Sequence, residues 1–100
     1  MEENKILITP DPDLAEEAVW YQGQLEQHLN NARKAVNSQD IESLQTIGHR
    51  MKGSAESFGF DQAGVIGKAL ESAAKNSDIN AIEQELDKLA DYLDRVEISS

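Results

Sequence analysis

Residues 41–58 read Ile41-Glu42-Ser43-Leu44-Gln45-Thr46-Ile47-Gly48-His49-Arg50-Met51-Lys52-Gly53-Ser54-Ala55-Glu56-Ser57-Phe58. Ile41, Leu44, Gly48, Met51, Ala55 and Phe58 recur in steps of three and four, with Ile47 on the edge of the stripe. That period predicts one face of an α-helix running to Phe58 and ending at Gly59, a good C-cap residue. Gly53 goes against the pattern, because glycine in a helix interior costs about 1 kcal/mol relative to alanine. A helix that keeps this glycine one turn from a histidine is using that surface.

The same period recurs on either side. Upstream, Leu14, Ala18, Tyr21, Leu25, Leu29, Ala32 and Val36 form one stripe. Pro10-Asp11-Pro12-Asp13 starts it, with Asp13 expected as the cap and Glu16 and Glu17 suited to the helix dipole. Gly23 leaves open whether this is one long helix or a short one followed by a longer one. Asn37-Ser38-Gln39-Asp40 ends it and offers Ser38 or Asp40 as the next cap. Downstream, Asp61 is expected to cap a helix built on Ala63, Ile66, Leu70 and Ala73. Gly67 and Ala74 lie alongside, small enough for close approach to a neighbour. Asn76-Ser77-Asp78 breaks the chain again. Ile79, Ile82, Leu86, Leu89, Leu93 and Val96 then make a bundle seam. Short connections make sequential helices antiparallel neighbours. The expected fold is all-α: an antiparallel up-down-up-down four-helix bundle over residues 10–98, with an N-terminal helical extension whose first nine residues form an arm laid against the body.

Composition narrows the function. One hundred residues with 39% hydrophobic side chains make one domain with a modest core. No cysteine is present, so disulfides and thiolate metal sites are excluded. Nine basic against nineteen acidic residues, a net charge of −10, argue against nucleic acid and anionic membranes and favour a monomer. No apolar run approaches the roughly 18 residues of a membrane span, and the acidic start lacks a signal-peptide layout. A cytoplasmic protein is the expectation.

Taking about 100° per residue with Leu44 at zero, Gly48, Met51, Ala55 and Phe58 fall within about 40° of the core direction. On the same scale Lys52 falls at about 80°, Gln45 at about 100°, Glu56 at about 120°, His49 at about 140° and Gly53 at about 180°. His49 is therefore a surface histidine with Lys52 and Gly53 one turn on. Folding the third helix back about residue 60 pairs residues whose numbers sum to about 120, which places Glu71 level with His49. A carboxylate there would hold one ring nitrogen and leave the other free as a nucleophile. Lys52 would supply charge for an arriving phosphoryl group, with Arg50 and Lys68 adding positive charge nearby.

These residues, His49-Arg50-Met51-Lys52-Gly53-Ser54-Ala55, then Phe58-Gly59-Phe60 and Leu70-Glu71, resemble the motif of histidine-containing phosphotransfer (HPt) domains. Ile8-Thr9-Pro10-Asp11-Pro12-Asp13-Leu14 looks like the start of bacterial members. Trp20-Tyr21 departs from the more aliphatic pair expected there. The resemblance implies a stand-alone phosphorelay protein of two-component signal transduction. His49 would be the phosphoacceptor, Lys52 and Gly53 its supporting neighbours, and Glu71 the group that orients the ring. Partners would be response-regulator receiver domains and hybrid histidine kinases, docking over Gln45, Arg50, Glu56, Ser57 and Lys68. The receiver would bring Mg²⁺, and this chain would need no cofactor or metal of its own. It would be a carrier, not an enzyme with a kinase or nucleotide-binding domain.

Other readings are weaker. A lone histidine on a helix flank is usually ordinary surface, and His28, at the edge of its own stripe, is read so. His49 with Glu56 or Glu71 gives two metal ligands without a third. A reading from another class is a helical adaptor that binds and regulates receiver or kinase partners without being phosphorylated.

Overall fold

The computed structural model describes residues 4–98. The first three residues of the expected arm, and positions 99–100, lie outside the described residues. Four α-helices carry the fold: α1 (Ala15–Asn37), α2 (Ile41–Ser54), α3 (Asp61–Lys75) and α4 (Ile79–Arg95). Asp40 caps α2 by accepting from the Ser43 backbone N–H at 3.1 Å, and Asp78 caps α4 through Ala81 in the same way. Each short polar side chain satisfies a first-turn N–H that has no partner within the helix. Gln39 and Ser77, at φ 58° and 52°, take the left-handed turns just ahead of these caps.

Several local expectations are corrected. α1 runs unbroken through Gly23. The cap before it is Asp11, not Asp13: Asp11 accepts from the Asp13 N–H at 3.2 Å and opens a 3₁₀ turn at Pro12–Leu14. Pro12 at the first helical position has no N–H to satisfy, which moves the start of the turn upstream. α2 stops at Ser54 instead of Phe58. A single 3₁₀ turn, Glu56–Phe58, follows, and Gly59 at φ 89° redirects the chain into α3. Asp61 is the first residue of α3, and its N-cap is Phe60 with no side-chain bond.

Among the described residues the N-terminal extension is not helical before Pro12. Ile6–Ile8 form a strand, β1, that pairs in parallel with β2, Val96–Ile98, with Ile6 opposite Val96 and Ile8 opposite Ile98. Val96, expected on the helical seam, has extended angles and ends α4. β-branched residues on both segments favour the pleated form once each has a partner. Arg95 Nε donates to the Asn4 carbonyl at 2.8 Å, and Ile8 is buried against Gly59.

The core lies between the four helices. Leu25, Leu44, Met51, Phe60, Leu70, Ile82, Leu86 and Leu89 are its largest fully buried side chains. On α4 the buried residue after Leu89 is Tyr92, and Leu93 sits at the margin. α2 and α3 make the tightest seam of the bundle. Glycine and alanine contacts link position 48 to 71, 51 and 52 to 67, and 55 to 64, so the two helices run in opposite directions.

Candidate functional site

Glu71 of α3 is the buried carboxylate of the described residues, its side chain 10% exposed. It reaches two residues of α2. Its Oε2 lies 2.9 Å from His49 Nδ1 and its Oε1 accepts from Lys52 Nζ at 2.8 Å. His49 and Lys52 are three residues apart, so both project from one side of α2 towards the same turn of α3. The register that places 71 opposite 49 is the one observed.

Electrostatics fix the proton on the ring. The Lys52 ammonium holds the Glu71 carboxyl below its ordinary value of 4.5; burial pulls the other way, and the His49 hydrogen bond lowers it further. Glu71 is therefore ionised at neutral pH and can only accept. His49 Nδ1 must carry the hydrogen and donate it, which in the neutral ring leaves the Nε2 lone pair free. The imidazole is 67% exposed, so Nε2 is open to an incoming group. Lys52 is less free than expected, since one of its three N–H donors is committed to Glu71. Two remain, on a side chain 40% exposed.

Gly53 stands one turn beyond His49, and a Cβ built on it would meet nothing within 4 Å. Packing does not explain this glycine. Gly48 and Gly67 lie in the seam, where a Cβ at either would fall within 2.6–2.7 Å of the opposite helix. Sequence reading placed Gly48 in the core stripe and Gly67 beside it; only the fold shows that both face backbone.

The expected docking residues divide into groups. Gln45 is half-buried on α2, and Lys68 is exposed on α3. Glu56 and Ser57 are exposed, on the 3₁₀ turn beyond α2 rather than within it. Arg50 lies beside α1, where with Asn31, Lys34 and Thr46 it lines a groove between the helices. It also lies near His28, whose pKa is lowered by burial first and by Arg50 second. Trp20 is 58% exposed and packs beside Phe58 with ring centroids 6.2 Å apart, a placement that the helical period does not signal. Tyr21 stacks on Phe58 at 4.5 Å, and its hydroxyl lies 2.6 Å from Ser54 Oγ, joining α1 to the end of α2. Among the described residues no three His, Asp or Glu side chains gather as a metal site.

The family model described as Hpt domain matches residues 18–98 of this chain. No curated protein and no solved structure gives a match.

Proposed function

The chain belongs to the Hpt domain family, and from that premise we propose that it is a phosphorelay carrier that takes a phosphoryl group on His49 from one receiver domain and passes it to another. The observation that carries this reading is the hydrogen bond from His49 Nδ1 to Glu71, which leaves an exposed Nε2 with its lone pair outward. In the forward step Nε2 attacks the phosphorus of a partner's aspartyl phosphate in line. The N–P bond forms as the P–O bond breaks, and the electron pair leaves with the aspartate carboxylate. Glu71 offsets the positive charge that develops on the ring, and the spare N–H groups of Lys52 face the phosphoryl oxygens. Transfer onward reverses these bond changes on a second aspartate. Mg²⁺ and the remaining charge stabilisation belong to the receiver, so positioning is this chain's main contribution.

The reading includes the up-down-up-down bundle over residues 10–98, of which the reversed pairing of α2 with α3 is one part. The docking face is the side of α2 that bears Gln45, Lys52 and Gly53, bounded by Glu56 and Ser57 on one end and Lys68 on α3. Arg50 belongs to its α1 margin. Bare backbone at Gly53 lets the receiver's phosphoaspartate loop approach closely. The protein acts as a cytoplasmic monomer without nucleotide chemistry of its own.

Incubation with a phosphorylated receiver tests this. Wild-type protein is expected to acquire an acid-labile, alkali-stable phosphoryl label that His49→Gln lacks. Label that persists in His49→Gln overturns the assignment. Receiver binding by wild type with no label at any time favours the unphosphorylated adaptor.

A further inference from the structure

We propose that Gly48 and Gly67, neither of which touches a substrate, are positioning residues for His49: their bare Cα atoms set the spacing of α2 and α3 at which one carboxylate reaches both His49 and Lys52. The geometry is reciprocal. A Cβ on Gly48 would lie 2.6 Å from the Glu71 backbone N and 2.7 Å from the Gly67 carbonyl oxygen. A Cβ on Gly67 would lie 2.6 Å from the Met51 Cβ, 2.7 Å from the Lys52 backbone N and 2.8 Å from the Gly48 carbonyl oxygen. Distances under about 3 Å cannot be tolerated, and all but one of these neighbours are backbone atoms that no rotamer change can move. The two glycines thus rest on the main chain of the residues whose side chains form the site, Glu71 and Lys52.

One turn along the seam the contrast appears. A Cβ on Gly64 would meet the Ala55 Cβ at 3.8 Å, an ordinary contact. The enforced approach lies at the level of His49, Lys52 and Glu71 and has eased by Gly64. Helices normally pack 8–10 Å apart through interleaved side chains. At that spacing a glutamate on one helix must stretch to meet the other. Here backbone contact brings the carboxylate close enough to hold two partners at 2.9 and 2.8 Å while staying largely buried. Adding one methyl group to either glycine forces the helices apart, and both hydrogen bonds lengthen together.

The consequence for phosphorylation rests on the function proposed above; the consequence for the imidazole does not. The test therefore reads the ring first. Two-dimensional ¹H–¹⁵N spectra of the histidine side chains at neutral pH are expected to show wild-type His49 as a single Nδ1–H tautomer. Gly48→Ala and Gly67→Ala are expected to show a mixture of tautomers. Phosphorylation of His49 by phosphoramidate is expected to fall about tenfold in both, the loss of one charge-assisted hydrogen bond to the ring. Leu86→Ala, a fully buried truncation on α4, serves as the control for general loosening and should leave the tautomer unchanged. If a seam variant does not fold at 25 °C, it is remade with Gly23→Ala and Gly64→Ala, two helix-stabilising changes whose Cβ atoms have room. Wild-type tautomer in a folded seam variant, an equal tautomer shift in Leu86→Ala, or a seam variant that stays unfolded in the stabilised background would each overturn the proposal. A wild-type protein that phosphoramidate and receivers alike leave unlabelled would overturn the phosphotransfer reading and leave the tautomer result standing.

Discussion

Gly48 and Gly53 are five residues apart on one helix and face opposite constraints. Gly48 is pressed against the backbone of α3, where even a methyl group has no room. Gly53 faces open space, where a methyl group would touch nothing. Both carry the same intrinsic helix penalty. At Gly48 the return is structural, a close helix crossing that brings in Glu71. At Gly53 the fold gains nothing from the missing methyl group, and the close approach of a receiver proposed above would supply the return. A glycine in a helix therefore has two opposite meanings, told apart by what its missing Cβ would meet.

Breaking the seam gives the largest effect. Gly67→Val is expected to lower stability by about 3 kcal/mol, because the overpacked side chain meets Met51 and the Lys52 backbone and α3 cannot retreat without opening the core. The urea midpoint would fall at unchanged slope. A loss below that of an ordinary surface change would mean the seam is looser than described.

Glu71→Gln keeps the shape of the seam and removes the charge that binds it to α2. Phosphorylation is expected to slow about tenfold, since the ring loses a charge-assisted acceptor and Lys52 its partner. The variant also separates a pH effect. Because the carboxyl is held below 4.5 in the folded state, its contribution to stability is complete above that value and is lost as pH falls through the lower, folded value. Wild type should be the more stable of the two at neutral pH, and their denaturation midpoints should converge on acidification below about pH 4.5, the ordinary value for this group. Midpoints that stay apart to the lowest pH would remove Glu71 ionisation from the stability of the seam.

The smallest effect has the opposite sign. Gly53→Ala is expected to stabilise the fold by up to about 1 kcal/mol, the helix propensity difference with no packing penalty. It should slow phosphotransfer from a receiver more than from phosphoramidate, since only the larger donor needs the clearance. Equal slowing with both donors would show that the methyl group disturbs His49 itself.

The pairing of His49 with Glu71 was legible in the sequence because the α2–α3 connection is short and the helical period is regular, so position alone fixed the facing residues. The end of α2 was not legible. Ala55 and Phe58 continue the apolar stripe, but Ser54 Oγ turns back to the Arg50 carbonyl at 2.7 Å and the chain tightens into a 3₁₀ turn. Tyr92 was passed over for Leu93 because Leu93 continues the seam's steps of three and four and Tyr92 lies well off that direction; only the packing of the whole bundle buries Tyr92 and leaves Leu93 at the margin. The strands were invisible for a related reason. Val96 fits a helical seam as well as a strand, and its partner Ile6 is distant in the chain, where no local pattern can signal the pairing. At Gly48 the sequence showed a small residue in an apolar stripe; that its neighbour is backbone is a property of two helices together.

The pairing of Ile6–Ile8 with Val96–Ile98 also gives the bundle a mechanical character. Because the strands are parallel, the chain enters β1 at one end of the ribbon and leaves β2 at the other. Tension applied between the two ends of the domain loads this ribbon in shear, with its hydrogen bonds sharing the force at once instead of opening one after another. The helices are reached only after that clamp has slid apart, so a pull along the chain is resisted first at the ribbon and not at the α2–α3 seam that holds His49.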